Sequence, residues 1–171
     1  MSDLLTLILD VGKTVAPRPL PTGYSVRELR SKDAEELGRL YFASYDPGLA
    51  SADVEEAIAD IRATFGGAYG DPWEEASLAA TSGGDVVAAV LTVHRAPWDD
   101  TPRCPFVVEI FTDRAHRRRG VASHLLERCL AEVAAHEEAR ALALRVRSTN
   151  EAALALYSAF GFRRWGTAAP G

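Results

Sequence analysis

The chain has 171 residues, 47% hydrophobic and 25% charged, which suits one globular domain with a substantial core. Its formal net charge of −5 argues against nucleic-acid binding, because an acidic surface without a segregated basic face repels a polyanion. The two cysteines, Cys104 and Cys129, are too few for a disulfide framework, and the four histidines show no ligand spacing, so no metal is expected.

Residues 1–23 read as a leader ahead of the domain. Its apolar run, Leu4 to Leu9, lies between Asp3 and Asp10 with no basic stretch before it. The run is too short to span a bilayer and lacks the layout of a signal peptide, so no membrane association and a cytoplasmic location are expected. Left exposed it would be unfavourable, so it is expected to pack on the domain or on a partner subunit, which admits a homodimer. The prolines of Ala16–Gly23 then favour an extended connector. The stretch Asp10–Thr14, "DVGKT", imitates a phosphate-binding loop. That loop needs a glycine five positions before its Gly-Lys pair, and Leu7 stands there, so a turn is expected instead.

Residues 24–171 are expected to form the domain. Tyr24–Arg30 alternates as a strand does, and Ser31 is placed to cap a helix through Tyr45 with Ala34, Leu37, Leu40 and Tyr41 on one face. A second helix follows over Ala52–Phe65. Strands at Ala76–Thr81 and Asp85–His94 flank Ser82-Gly83-Gly84 as a hairpin. The second is almost continuously apolar and should be central in its sheet. After a proline-interrupted loop, Phe106–Thr112 is a strand. Next comes a helix from Val121 to about His136, with Val121, Leu125, Leu126, Cys129, Leu130 and Val133 as its buried stripe. Ala141–Arg147 is a strand, "NEAALALYSAFGF" a helix ending at Gly161, and a final strand closes the order. The result is a mixed α/β fold with helices on the faces of one sheet.

The segment "HRRRGVASHLL", His116–Leu126, joins the Phe106–Thr112 strand to the long helix. The first amides of a helix have no intrahelical partner and sit at its positive pole, which suits a phosphate. Gly120 lets an anion come close, Ala122 leaves its amide accessible, and arginines add charge. A solvated arginine-rich loop is the plain alternative. A nucleic-acid patch is weaker still, since the cluster is short and lacks interleaved aromatics.

Arg117-x-x-Gly120-x-Ala122 after a strand, with Asn150, Ala153, Tyr157, Gly161 and Phe162 spaced as they are further on, resembles the GNAT superfamily of acyl-coenzyme A-dependent N-acetyltransferases. The likeness runs over roughly residues 24–167. It implies a mostly antiparallel central sheet flanked by helices, with the strands Phe106–Thr112 and Ala141–Arg147 splaying apart to admit acetyl-coenzyme A. It implies that Ile110, Phe111 and Thr112 offer backbone contacts to the pantetheine arm. Arg117, Arg118, Arg119, Gly120, Val121 and Ala122 would hold the pyrophosphate, and Asn150 and Tyr157 would also touch the cofactor. The acceptor implied is a small-molecule or peptide amine that attacks the thioester directly, with Tyr157 as the acid for the departing thiolate. Tyr41, Tyr45 and the "APWDDTP" loop with Asp99 and Asp100 would face the acceptor. Glu109 is the only charged residue of its strand and is the candidate base. The family often carries its base further upstream, where this chain has Phe106. A degenerate member that binds acyl-coenzyme A without turnover, as a sensor or structural protein, is the alternative function.

Overall fold

The computed structural model describes residues 4–12 and 18–166. Seven strands make one sheet: β1 (Leu4–Asp10), β2 (Tyr24–Glu28), β3 (Leu78–Ser82), β4 (Asp85–Val93), β5 (Phe106–Thr112), β6 (Ala141–Arg147) and β7 (Arg163–Arg164). Their order across the sheet is β2-β3-β4-β5-β6-β1-β7. Every neighbouring pair is antiparallel except β5 and β6, which run parallel. Four helices pack on it: α1 (Ala34–Ser44), α2 (Val54–Phe65), α3 (Val121–Ala135) and α4 (Glu151–Phe160).

Side-chain alternation along the strands divides the core into faces. On β4, Ala88 and Val90 join the layer under α3 and α4, with Leu125, Leu126, Cys129 and Tyr157. Ala89 and Leu91 point the other way, into the layer under α1 and α2 with Leu37, Ala57 and Ile61. After the exposed Asp85, every residue of β4 is buried, as its continuous apolar run requires of a central strand.

Two expectations need correction. Ser31 does not cap the first helix: Ser31–Asp33 form a 3-10 turn, and α1 starts at Ala34. The buried Asp33 carboxylate organises this corner, accepting two hydrogen bonds from Arg27 (2.9 and 3.0 Å) and one from the Arg30 amide (2.8 Å). A charge-assisted pair of that geometry outweighs a serine cap.

The leader is not separate from the domain over its first described stretch. Leu4–Asp10 is β1, paired with β6 along its whole length and with β7 on its other edge. Leu7 enters the core under α3 and Ile8 the opposite face beside Phe106. An apolar run flanked by acids thus serves as an interior strand of the sheet. Lys13 and Thr14 of the imitation phosphate loop lie outside the described residues.

Candidate active site

The parallel pairing of β5 and β6 covers only two positions, Phe106 with Ala143 and Val107 with Leu144. Both strands continue past them, so from Val108 onward the β6-facing edge of β5 has no strand partner. The parting opens a cleft of about 390 Å³. One side is lined by Asn150, the N-cap of α4, and by Ala153 and Tyr157 on that helix, the other by Tyr41, Tyr45, Asp60 and Thr64 of the α1–α2 layer. The cleft therefore joins the two faces of the sheet between splayed strands.

Glu109 stands in its wall, and a β-bulge puts it there. The register of β4 with β5 shifts between Leu91–Glu109 and Thr92–Val107, leaving Val108 as the extra residue. Without the bulge, Glu109 would share the face of Val107, under α3. With it, Glu109 moves to the face of Phe111, toward α1. There its carboxyl group faces Tyr41, whose hydroxyl lies 3.5 Å from the carbonyl of Ala50. Burial lifts the Glu109 pKa to about 7, with the neighbouring Tyr41 hydroxyl opposing the rise and the charge of Asp60 adding to it.

Tyr157 reaches the same cleft from α4. It is buried, its ring edge-on to Phe162 at 5.7 Å. Burial and the nearby Glu109 charge both raise its pKa, so the phenol holds its proton at neutral pH. Asn150 caps α4, accepting from the Ala153 amide at 3.1 Å, and also lines the cleft. Tyr45 donates at 3.5 Å to the carbonyl of Ile110, and its phenol too is held protonated by burial and by Glu109.

The loop from β5 to α3 offers a second kind of chemistry. Gly120 is the N-cap of α3 at φ 77°, a left-handed conformation that favours glycine, and it has no side chain to cap the helix. The amides of the first turn are thereby left for an external acceptor. Arg118 also adopts a positive φ, 60°, the only non-glycine to do so among the described residues. Such a succession of turned amides forms an anion-binding concavity.

The side chains around this loop divide their tasks differently from expectation. Arg118 and Arg119 are exposed, as phosphate-facing arginines would be, and Arg119 lies 3.5 Å from the Tyr24 hydroxyl. The guanidinium of Arg117 instead donates to the carbonyls of Ser44 and Thr112. With Arg114, which reaches Ala43 and Asp46, it closes the C-terminus of α1, where α1 has no basic residue of its own. The side chains of Phe111 and Val121 are core residues, which leaves them only backbone groups to offer a ligand. Thr112 does not line the cleft.

Sequence reasoning missed Asp60, Thr64 and Tyr69. They lie on or just after an ordinary amphipathic helix, and only the crossing of α1 and α2 turns them toward Glu109. Trp98 of the "APWDDTP" loop does line the cleft. Asp100 does not line the cleft: it pairs at 2.7 Å with Arg145, whose guanidinium lies 5.1 Å over the Trp98 ring. Among the described residues no group of three or more histidine, cysteine or acidic residues could hold a metal, and no helix is long and apolar enough to cross a membrane.

Residues 34–162 match the model of the Acetyltransferase (GNAT) family. Among solved structures, PH1933 from Pyrococcus horikoshii OT3 is 20% identical with a TM-score of 0.69, the match covering 85% of this chain and 92% of that one. A GCN5-related N-acetyltransferase from Sphaerobacter thermophilus is 17% identical with a TM-score of 0.69. That match covers 95% of this chain but 48% of the other, so the chain spans about half the length of that protein. Diaminobutyrate acetyltransferase from Paenibacillus lautus, solved with its substrate and coenzyme A, is 18% identical over 82% of this chain and 75% of its own, with a TM-score of 0.58. At these identities the likenesses establish a shared fold.

Proposed function

The chain belongs to the GNAT acetyltransferase family, and on that premise we propose that it transfers the acetyl group of acetyl-coenzyme A to a primary amine by direct attack. The observation that carries this reading is the meeting of Glu109 and Tyr157, from opposite faces of the sheet, in the cleft where β5 and β6 part. One carboxyl group is poised near neutral pH and one phenol is held protonated, which are the two proton-handling states that acyl transfer to an amine requires.

Glu109 takes a proton from the entering ammonium and passes it to solvent. The neutral nitrogen then attacks the thioester carbonyl carbon, forming the C–N bond and a tetrahedral oxyanion. Collapse of that centre breaks the C–S bond. Tyr157 gives its proton to the sulfur and regains one shed by the nitrogen, so the products are an amide and a free thiol. The unpaired edge of β5 from Val108 to Ile110 offers backbone groups to the pantetheine arm, as an added strand would. The amides of Arg118 to Ala122 take the pyrophosphate, with Arg118 and Arg119 adding positive charge. Asn150 orients α4 and, by resemblance, touches the cofactor.

Acetyl-coenzyme A should therefore raise the melting temperature, as a ligand selective for the native state must. Gly120→Glu should abolish that rise, since it sets an anion beside the pyrophosphate and a side chain on a left-handed backbone. Isothermal calorimetry, with thiol release over a panel of amines, tests both halves. A wild-type protein that neither binds acetyl-coenzyme A at millimolar concentration nor acetylates any amine would overturn the reading.

A further inference from the structure

The acceptor half of the cleft carries a second carboxylate besides Glu109. Asp60, on α2, lines the cleft and lies close enough to Glu109 for its charge to be felt there. Its Oδ1 is 3.4 Å from the Tyr69 hydroxyl, and the Tyr69 ring is 6.1 Å from that of Trp98. Among the ion pairs of the described residues, neither Asp60 nor Glu109 takes part in one.

The two arginines on the facing wall form no ion pair with either of them. Arg145 is committed to Asp100 and to the face of Trp98. Arg147 turns to the carbonyl of Leu49 at 3.4 Å. Glu109 suffices to hold and deprotonate one ammonium. A second carboxylate beside aromatic rings is a setting that stabilises a further cation, through charge and through the ring faces.

We propose that the acceptor is at least dicationic, an amine bearing a second positive group that Asp60 and the Tyr69 ring hold while the first is acetylated at Glu109. The inference rests on the acetyltransferase reading above and names the substrate class of the same cleft. Asp60 would set specificity, and it takes no part in the proton transfers.

The test compares diaminopropane, diaminobutane and diaminopentane with the monoamine of equal chain length, following thiol release from acetyl-coenzyme A. Wild type should prefer at least one diamine over its monoamine by roughly tenfold or more in kcat/KM, the effect of one charge-assisted contact. Asp60→Asn should erase most of that preference through KM, and the erased part should be the part that added salt weakens. Asp60→Glu keeps the charge on a longer arm and should move the optimum to a shorter diamine. Equal use of diamines and monoamines by wild type, or an undiminished preference in Asp60→Asn, would overturn the proposal while leaving the acetyltransferase reading intact. Failure of wild type to bind acetyl-coenzyme A would sink both.

Discussion

Glu109 sits where two demands oppose each other. As the proposed base it must ionise near neutral pH, yet its burial raises its pKa from 4.5 to about 7. Between those values the folded protein binds a proton that the unfolded chain does not, so stability falls as pH rises through this window. Each tenfold change in proton affinity is worth about 1.4 kcal/mol, so the full cost above pH 7 amounts to roughly 3 kcal/mol. Glu109→Gln should consequently melt higher than wild type at pH 8, gain little at pH 4, and lose about 10²–10⁴-fold in kcat. Wild-type kcat/KM should climb through pH 7, and the Gln variant should be partly rescued at high pH, where more amine is neutral. Melting curves at the two pH values beside a pH–rate profile check this. Tyr157→Phe is the complementary case: the ring that meets Phe162 remains, so stability and cofactor affinity should hold while kcat falls. Since a coenzyme A thiolate leaves tolerably unaided, a loss near the lower end of the general-acid range, about 10²-fold, is expected. Wild-type turnover by Tyr157→Phe, with chemistry limiting, would move the acid to solvent. That both would be candidates could be read from the sequence, one as the lone charge of a strand and one by its place in a spaced motif, and the structure brings both to one cleft. The direction in which Glu109 points could not be read there. It depends on the extra residue Val108, and a bulge leaves no trace in the alternation of "FVVEIFT".

At the scale of elements, the proposed acceptor side of the cleft depends on how closely α1 and α2 approach. Gly38 marks their contact: a Cβ there would lie 2.5 Å from the Cα of Ile58 and 2.8 Å from its backbone nitrogen. At an uncrowded helix position, Gly→Ala stabilises by about 1 kcal/mol. Here the backbone of α2 cannot yield, so Gly38→Ala should reverse that sign and destabilise by about 1–2 kcal/mol, lowering the melting temperature by several degrees. Pushing α1 from α2 also separates Tyr41 from Asp60, so KM for the amine should rise more than KM for acetyl-coenzyme A. A variant as stable as wild type would show that the two helices slide freely. Helical periodicity is enough to predict both helices, because their apolar stripes are unbroken. Their crossing is not written in either stripe, which is why Asp60 and Tyr69 escaped notice although Tyr41 did not.

Across the whole molecule, the segment before residue 24 is part of the machinery that shapes the cleft. β1 lies between β6 and β7, so it makes β6, one wall of the splay, an interior strand. Further along, the Arg18 amide donates to Glu127 at 2.6 Å and its guanidinium at 3.0 Å, while the Arg18 carbonyl lies 2.7 Å from Nδ1 of His124. Tyr24 then shares a 2.7 Å hydrogen bond with His116, just ahead of the arginine loop. The segment thus braces one strand beside the cleft and the helix whose first turn is proposed to hold the phosphates. These supports differ in size. Leu7→Ala empties a buried site and should cost about 2–5 kcal/mol. Arg18→Ala removes an ion pair whose arginine is largely exposed, leaves the backbone amide still donating to Glu127, and should cost about 1 kcal/mol or less. Deleting residues 1–20 removes both supports at once, exposes the edge of β6 and uncovers apolar surface on two faces of the sheet. The truncated chain should lose its cooperative thermal transition by circular dichroism, and with it the stabilisation by acetyl-coenzyme A, whereas Arg18→Ala should retain both. If the truncated chain melted at the wild-type temperature and bound acetyl-coenzyme A as tightly, β1 would be an ornament of the sheet and β6 would hold its place in the cleft wall unaided.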